Sequence, residues 1–467
     1  MSFHGRAHEH DVSAAAVHRR RRRRRVHRRR RPHHRHHAPK PAPKPSPKPA
    51  PKPAPAPAPQ PAPAPAPAPQ PVPAPQPASD QLVYSGPFGA RQAERLLWRA
   101  GFGPRPGQAR QLASLGLGAA VQSLTQPSGA PTLTGAAPVD QDGQPLAPAD
   151  SWGHDHLSWL DRMVRSDQSL VERMALVWHD WFATSNAGVN SQQHMLDQID
   201  VFRAKGLGSF HDLLRAVTTD PAMLAWLNGT DNRAGRTNEN YGRELMELFS
   251  LGADRGAYSE TDVREMARAL TGWRSDWSSE LGDHNFRFDP TWHDTNAKTV
   301  FGQTGNFDWQ DACRLCVTHP LHASFFVRKL WSYFVPAAPS AATQSHLENV
   351  YTSSGFAIGA VLEAILVHPD LYEGSMMVKP PVVFAAGMMR ATNQTIHTSA
   401  WIWYADESGQ HLFYPPNVAG WDDSRWLDTS TLHGRWRLAY TAVRGPSIDG
   451  RGATTSRRPR RRRSTRP

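Results

Sequence analysis

The chain has 467 residues, with 54 Lys and Arg against 41 Asp and Glu, 42 prolines and two cysteines. Charge is unevenly placed: residues 1–52 carry a net +15, residues 444–467 a net +8, and the span between them a net −10. A basic DNA-binding domain is thereby excluded as the main body, and a disulfide framework is excluded by the cysteine count. No stretch approaches the roughly 18 apolar residues that cross a bilayer. Near the N-terminus the longest apolar run is Ala14–Val17, too short for the apolar core of a secretory signal. The expected compartment is the cytoplasm, with the cell envelope as the alternative.

Four segments divide the chain. Residues 1–37 are an Arg/His-rich arm containing Arg19, Arg20, Arg21, Arg22, Arg23, Arg24 and Arg25, then Arg28, Arg29, Arg30 and Arg31. Such a block repels itself and cannot bury a core, so disorder is expected. It suits attachment to a polyanion, whether nucleic acid, an acidic wall polymer or an anionic membrane surface. Residues 38–80 alternate proline with Ala, Lys or Gln, the pattern of an extended polyproline II spacer rising about 3.1 Å per residue. Residues 81–443 read as a mainly α, multi-helix globular domain. Residues 444–467 form a second disordered basic segment, with Arg457, Arg458 and Arg460–Arg463.

Within the domain the helical patterns are local and clear. Ala93–Ala100 is a short amphipathic helix stopped by Gly101 and Gly103. Residues 126–150 are rich in proline and glycine and read as a long surface loop. Apolar spacing over Leu157–Phe182 predicts two helices. Phe210–Val217 and Ala222–Leu227 are two more, separated by Asp220-Pro221. Asn240–Leu251 reads as a strong helix ended by Gly252, and Ser259 caps the next, Glu260–Leu270, with Asp262 at its third position. Alternating strand patterns are scarce.

The segment Asn238-Glu239-Asn240-Tyr241-Gly242-Arg243-Glu244-Leu245-Met246-Glu247-Leu248-Phe249-Ser250-Leu251-Gly252 resembles the signature of a bacterial family, the domain of unknown function 1800. Tyr258–Val263 with Ala267–Trp273 continues the likeness, as do Arg99–Gly103, Trp178-His179, Phe182–Ser185 and Asp220–Leu224. Phe288-Asp289-Pro290, His293-Asp294, Lys298-Thr299 and Pro415–Trp421 fit in the same order, so the likeness covers about residues 93–436. The resemblance implies a mainly helical bacterial protein and no particular activity.

Four clusters could carry chemistry. Glu244 and Glu247 are three apart on one helix face and could share a cation or a proton. Glu239, Arg243 and Glu247 also form an i, i+4, i+8 ladder, which would pair on an ordinary exposed face. His293 and Asp294 lie on a loop behind an Asp-Pro step, where they could ligate a divalent metal or act as a base and its orienting acid. Together these give a candidate hydrolytic site of His293, Asp294 and Glu244. The candidate metal ligands are Glu239, Glu244, His293 and Asp294, and a divalent metal is the candidate cofactor. Asn240, Arg243, Lys298, Asn417 and Trp421 are candidate ligand-binding residues. Trp401, Trp403, Trp421, Trp426 and Trp436, set among carboxylates and amides, suit either a sugar or a packed core. Cys313, Cys316, His319 and His322 have zinc-like spacing, but helical positions fan them around the axis. Two functions remain. One is a non-catalytic binding or assembly protein tethered through its basic arm, with a protein partner for the acidic core. The other is a metal-dependent hydrolase, with glycans as candidate substrates.

Overall fold

The structure, a computed structural model, describes residues 81–444. The arginine arm, the proline spacer and the segment after Arg444 lie outside the described residues. The domain is mainly helical, as the spacing predicts. Ala90–Arg99 buries Ala93, Leu96 and Leu97, the i, i+3, i+4 face that its sequence marks. The two helices expected between Leu157 and Phe182 are His154–Arg165 and Ser169–Trp181. They bring Trp159, Trp178, Trp181 and Phe182 into one core with Phe202, Phe210, Phe249 and Phe326. The buried indoles of Trp178 and Trp181 donate to the carbonyls of Gly206 and Phe249, each at 3.0 Å, so these rings are packed without stranding their N–H groups.

Local signals set many boundaries. Asp220 accepts the Met223 N–H at 3.0 Å and Pro221 opens the helix Pro221–Trp226. Ser259 and Asp262 exchange hydrogen bonds at the start of Glu260–Ala269. The 126–150 stretch forms no helix, as its composition requires.

Two small antiparallel hairpins accompany the helices. Trp273–Ser278 pairs with Gly282–Phe288, and Lys298–Val300 pairs with Gln303–Gly305. Their sequences are polar and short, so no clean alternation marks them. The hairpins hold the His293–Asp294 loop between them.

The C-terminal third returns to the N-terminal third. Pro381–Thr392 lies against Ala90–Arg99 so closely that a Cβ on Gly387 would fall 2.2 Å from the Trp98 ring. Arg390, fully buried, donates to the carbonyls of Gly103 and Val164 at 2.9 and 3.0 Å. A buried guanidinium thus serves as a tie between segments nearly 300 residues apart, with carbonyls as its acceptors. No helix among the described residues is long and apolar enough to cross a membrane.

Candidate functional site

The signature segment begins as an α-turn, Asn240–Glu244, and widens into a π-helix over Leu245–Ser250. The Leu251 N–H reaches back five residues to the Met246 carbonyl at 2.7 Å. The expected continuous α-helix is therefore corrected: the wider turn shifts the angular position of the later side chains, and the Ser250 hydroxyl takes up the Leu245 carbonyl at 2.5 Å. Arg243 makes a two-pronged pair with Glu260, both contacts at 2.8 Å, and a looser one with Glu239 at 3.5 Å. Glu247 leaves the predicted ladder and accepts the Tyr258 hydroxyl at 3.2 Å. Burial, and then the charge of Glu247, raise the Glu244 carboxyl above its ordinary range. Arg243, Glu247, Arg255, Tyr258 and Glu260 border a polar cleft of about 460 Å³. Asn240 is exposed at the helix start, its N–H donating to the Asn238 side chain at 3.0 Å.

The His293–Asp294 loop is fastened to the helix Glu260–Ala269. Arg268 grips Asp294 through Nε at 2.8 Å and Nη2 at 3.3 Å, and Asn296 adds two further donors at 2.9 Å. Arg268 first, then the Asn296 donors, hold the Asp294 carboxyl down to about 2, against the burial that opposes them. His293 Nδ1 donates to the Thr271 carbonyl at 2.9 Å. Lys298 is buried, and its ammonium donates to the Asp294 carbonyl and to the Asn306 side chain. Asp294 and Lys298 thus fix a loop in place. Among the described residues no three His, Cys, Asp or Glu side chains form a group that could hold a metal. Glu239, Glu244, His293 and Asp294 are accordingly not assembled as a ligand set, because Asp294 is committed to Arg268 and Glu239 to Arg243. Cys313 and Cys316 are buried free thiols, and burial pushes each up to about 12.

A different pair of segments does converge. Asp180 accepts the Trp421 N–H at 2.8 Å and the Tyr333 hydroxyl at 2.7 Å. Gly420 has φ +94°, and a Cβ there would sit 2.4 Å from Asp180 Oδ1. Asn417 accepts the Ala419 N–H at 2.8 Å and so shapes the same turn. Trp421 stands edge-on to the buried His179 at 5.4 Å. Burial lowers His179 to about 3, so the ring stays neutral. Trp401 is buried, and Trp421 nearly so. Trp426 is half-buried against the core, Trp403 faces outward with its ring tilted against Trp152 at 5.0 Å, and Trp436 faces outward on the last helix. The five tryptophans therefore split between core and surface and do not form one sugar platform.

Beside this junction lies the larger cavity, about 580 Å³. Arg91, Arg95 and Arg99 stand at i, i+4 and i+8 on one helix, and Arg173 and Lys379 join them at its walls. Arg99 is 8 % exposed and Arg173 3 %. Arg95 and Arg99 donate to the carbonyls of the 374–375 turn, Arg95 to Gly374 at 2.5 Å and Arg99 to Ser375 at 3.1 Å. Buried N–H groups remain without acceptors: Nε of Arg95, Nη1 of Arg99 and Nε of Arg173. Burial lowers Arg99 to about 10, helped by repulsion from Arg95 and Arg173, and burial lowers Arg173 to about 10 despite the favourable charge of Asp180. Lys379 lies over the Trp98 ring at 4.4 Å. Tyr84, Trp98, Met377 and Val383 supply apolar wall.

Residues 95–464 match the family described as Protein of unknown function (DUF1800). The chain belongs to the DUF1800 family. No curated protein and no solved structure matches it. The DUF1800 match opens at Arg95, inside the arginine face of the cavity. Sequence reasoning passed over this face, although three arginines at i, i+4, i+8 mark it. Like charges at that spacing destabilise a helix, so their presence on one face is itself a signal of use. Arg173 and Asp180 carry no such local mark, since only tertiary packing places them.

Proposed function

We propose that this DUF1800 protein is a non-catalytic binding protein whose folded domain holds an anionic ligand in the cavity of Arg95, Arg99, Arg173 and Lys379. One observation carries the reading: buried guanidinium groups border the cavity with N–H donors unfilled, and the two carboxylates on its walls, Glu94 and Glu373, do not pair with them among the described residues. An unpaired buried charge costs several kcal/mol in solvation, roughly, unless hydrogen-bonded partners compensate it. A carboxylate or phosphate in the cavity would supply both the charge and the missing acceptors. The arginine arm adds tethering to a polyanionic surface, on the strength of its sequence, with attachment that weakens steeply as salt rises. A metal-dependent hydrolase at Glu244, His293 and Asp294 would need Asp294 released from Arg268 and His293 from Thr271.

The test is thermal unfolding of the full chain in pyrophosphate or citrate against chloride at matched ionic strength. The polyvalent anions should raise the midpoint, and Arg99→Gln should abolish the rise. Equal midpoints in all three salts would sink the reading.

A further inference from the structure

One carboxylate or phosphate group fills only a small part of the arginine cavity, whose volume of about 580 Å³ is that of a site for a whole small molecule. Five lining side chains are cationic, Arg91, Arg95, Arg99, Arg173 and Lys379, against the carboxylates of Glu94 and Glu373. Both carboxylates are exposed, whereas Arg99 and Arg173 are buried, so the surplus of positive charge lies at depth. The rest of the wall is largely apolar. Tyr84 and Tyr372 stand together on it with ring centroids 4.8 Å apart, and Val383 belongs to the same lining.

The segment 374–380 borders the cavity as it runs from the helix Pro369–Tyr372 to the helix Pro381–Thr392. Both of its ends are pinned. Arg95 and Arg99 hold the carbonyls of Gly374 and Ser375, and Arg435 donates to the Lys379 carbonyl at 2.8 Å. Between the pins Met376 is 81 % exposed and Val378 39 %, with Met377 half-buried, and all three line the cavity. Apolar side chains left in water at the edge of a cationic cavity offer a surface to an apolar occupant. Methionine, unbranched and polarisable, packs against a flexible chain without demanding one shape. An inorganic anion would leave this surface in water. A neutral apolar ligand would leave the buried guanidinium groups without an acceptor.

We propose that the ligand is an amphipathic anion, a carboxylate or phosphate on an alkyl chain, with its acid group against Arg99 and Arg173 and its chain along Met376, Met377 and Val378. The proposal rests on the anion-binding reading of the same cavity.

Calorimetric titration of the full chain tests it, at a salt concentration that screens the N-terminal arm. The probes are butyl and octyl phosphate, butanoate and octanoate, and neutral octyl glucoside, each below its micelle-forming concentration. A buried methylene strengthens binding up to about fourfold, so in at least one acid series the eight-carbon member should bind about tenfold or more tightly than the four-carbon one. The tighter series identifies the acid group. Met376→Ser with Met377→Ser should remove most of that gain and leave the short anions bound as in the parent. Arg99→Gln should weaken both chain lengths, and octyl glucoside should not bind. Equal binding of short and long acids, both weakened by Arg99→Gln, would overturn this proposal alone and leave the anion site standing. Octyl glucoside bound as tightly as the octyl acids would overturn it too. Acids that do not bind, or whose binding Arg99→Gln leaves unchanged, would overturn the anion-binding reading with it.

Discussion

Replacing Arg173 with methionine removes a buried cation that has no carboxylate at ion-pair distance among the described residues, Asp180 attracting it only from further off. Burial lowers its guanidinium to about 10, so the charge that it carries below that pH costs the folded chain stability relative to the unfolded one. Arg173→Met should therefore raise ligand-free stability by about 1–2 kcal/mol, while removing the response to anions. Urea unfolding with and without pyrophosphate reads both effects, and a destabilised variant that keeps the response contradicts the assignment. Gly420→Ala acts through the opposite route. It forces a Cβ against Asp180 at φ +94°, and a loss of roughly 2–4 kcal/mol in urea is expected. Asp294 supplies a pH test. Its folded carboxyl is held at about 2 against an ordinary 3.8, so its contribution is present above 3.8 and lost as pH falls through about 2. Arg268→Gln should flatten that acid-side loss. His293 and Asp294 were legible as polar loop residues, but their partners Thr271 and Arg268 were not, because Arg268 lies 26 residues back on another element.

Helices announce their ends through neighbours within a turn, which is why Ser259, Asp262 and Pro221 mark boundaries correctly. The π-widening at Leu245–Ser250 has no such mark, since its Leu and Met residues are ordinary helix formers. Packing explains more of the signature than catalysis does. Gly242 lets Asn240–Glu244 approach Glu260–Ala269 so closely that a Cβ would lie 3.1 Å from the Ala267 nitrogen. Tyr241 reaches Thr218 with its hydroxyl at 2.8 Å. Gly242→Val should open that crossing and cost roughly 1–3 kcal/mol. Because residue 242 does not border the arginine cavity, the anion response should survive, as a melting titration of the variant would show.

For the whole molecule, ligand binding and stability are one equilibrium. An anion that binds only the folded chain adds about 2.7 kcal/mol at a hundredfold excess over its Kd. The helical fold class could be inferred from periodicity, yet the cavity could not. Its walls come from residues 84–99, from Arg173 and from residues 372–383, and no local pattern reports a meeting of such distant segments. That separation also fixes a sequence of events during synthesis. Arg95 emerges from the ribosome 279 residues before Gly374, whose carbonyl receives it. Through most of translation the nascent chain carries these arginines without their acceptors or the opposing wall, and a ligand could first report on the molecule only when nearly all of the domain has been made.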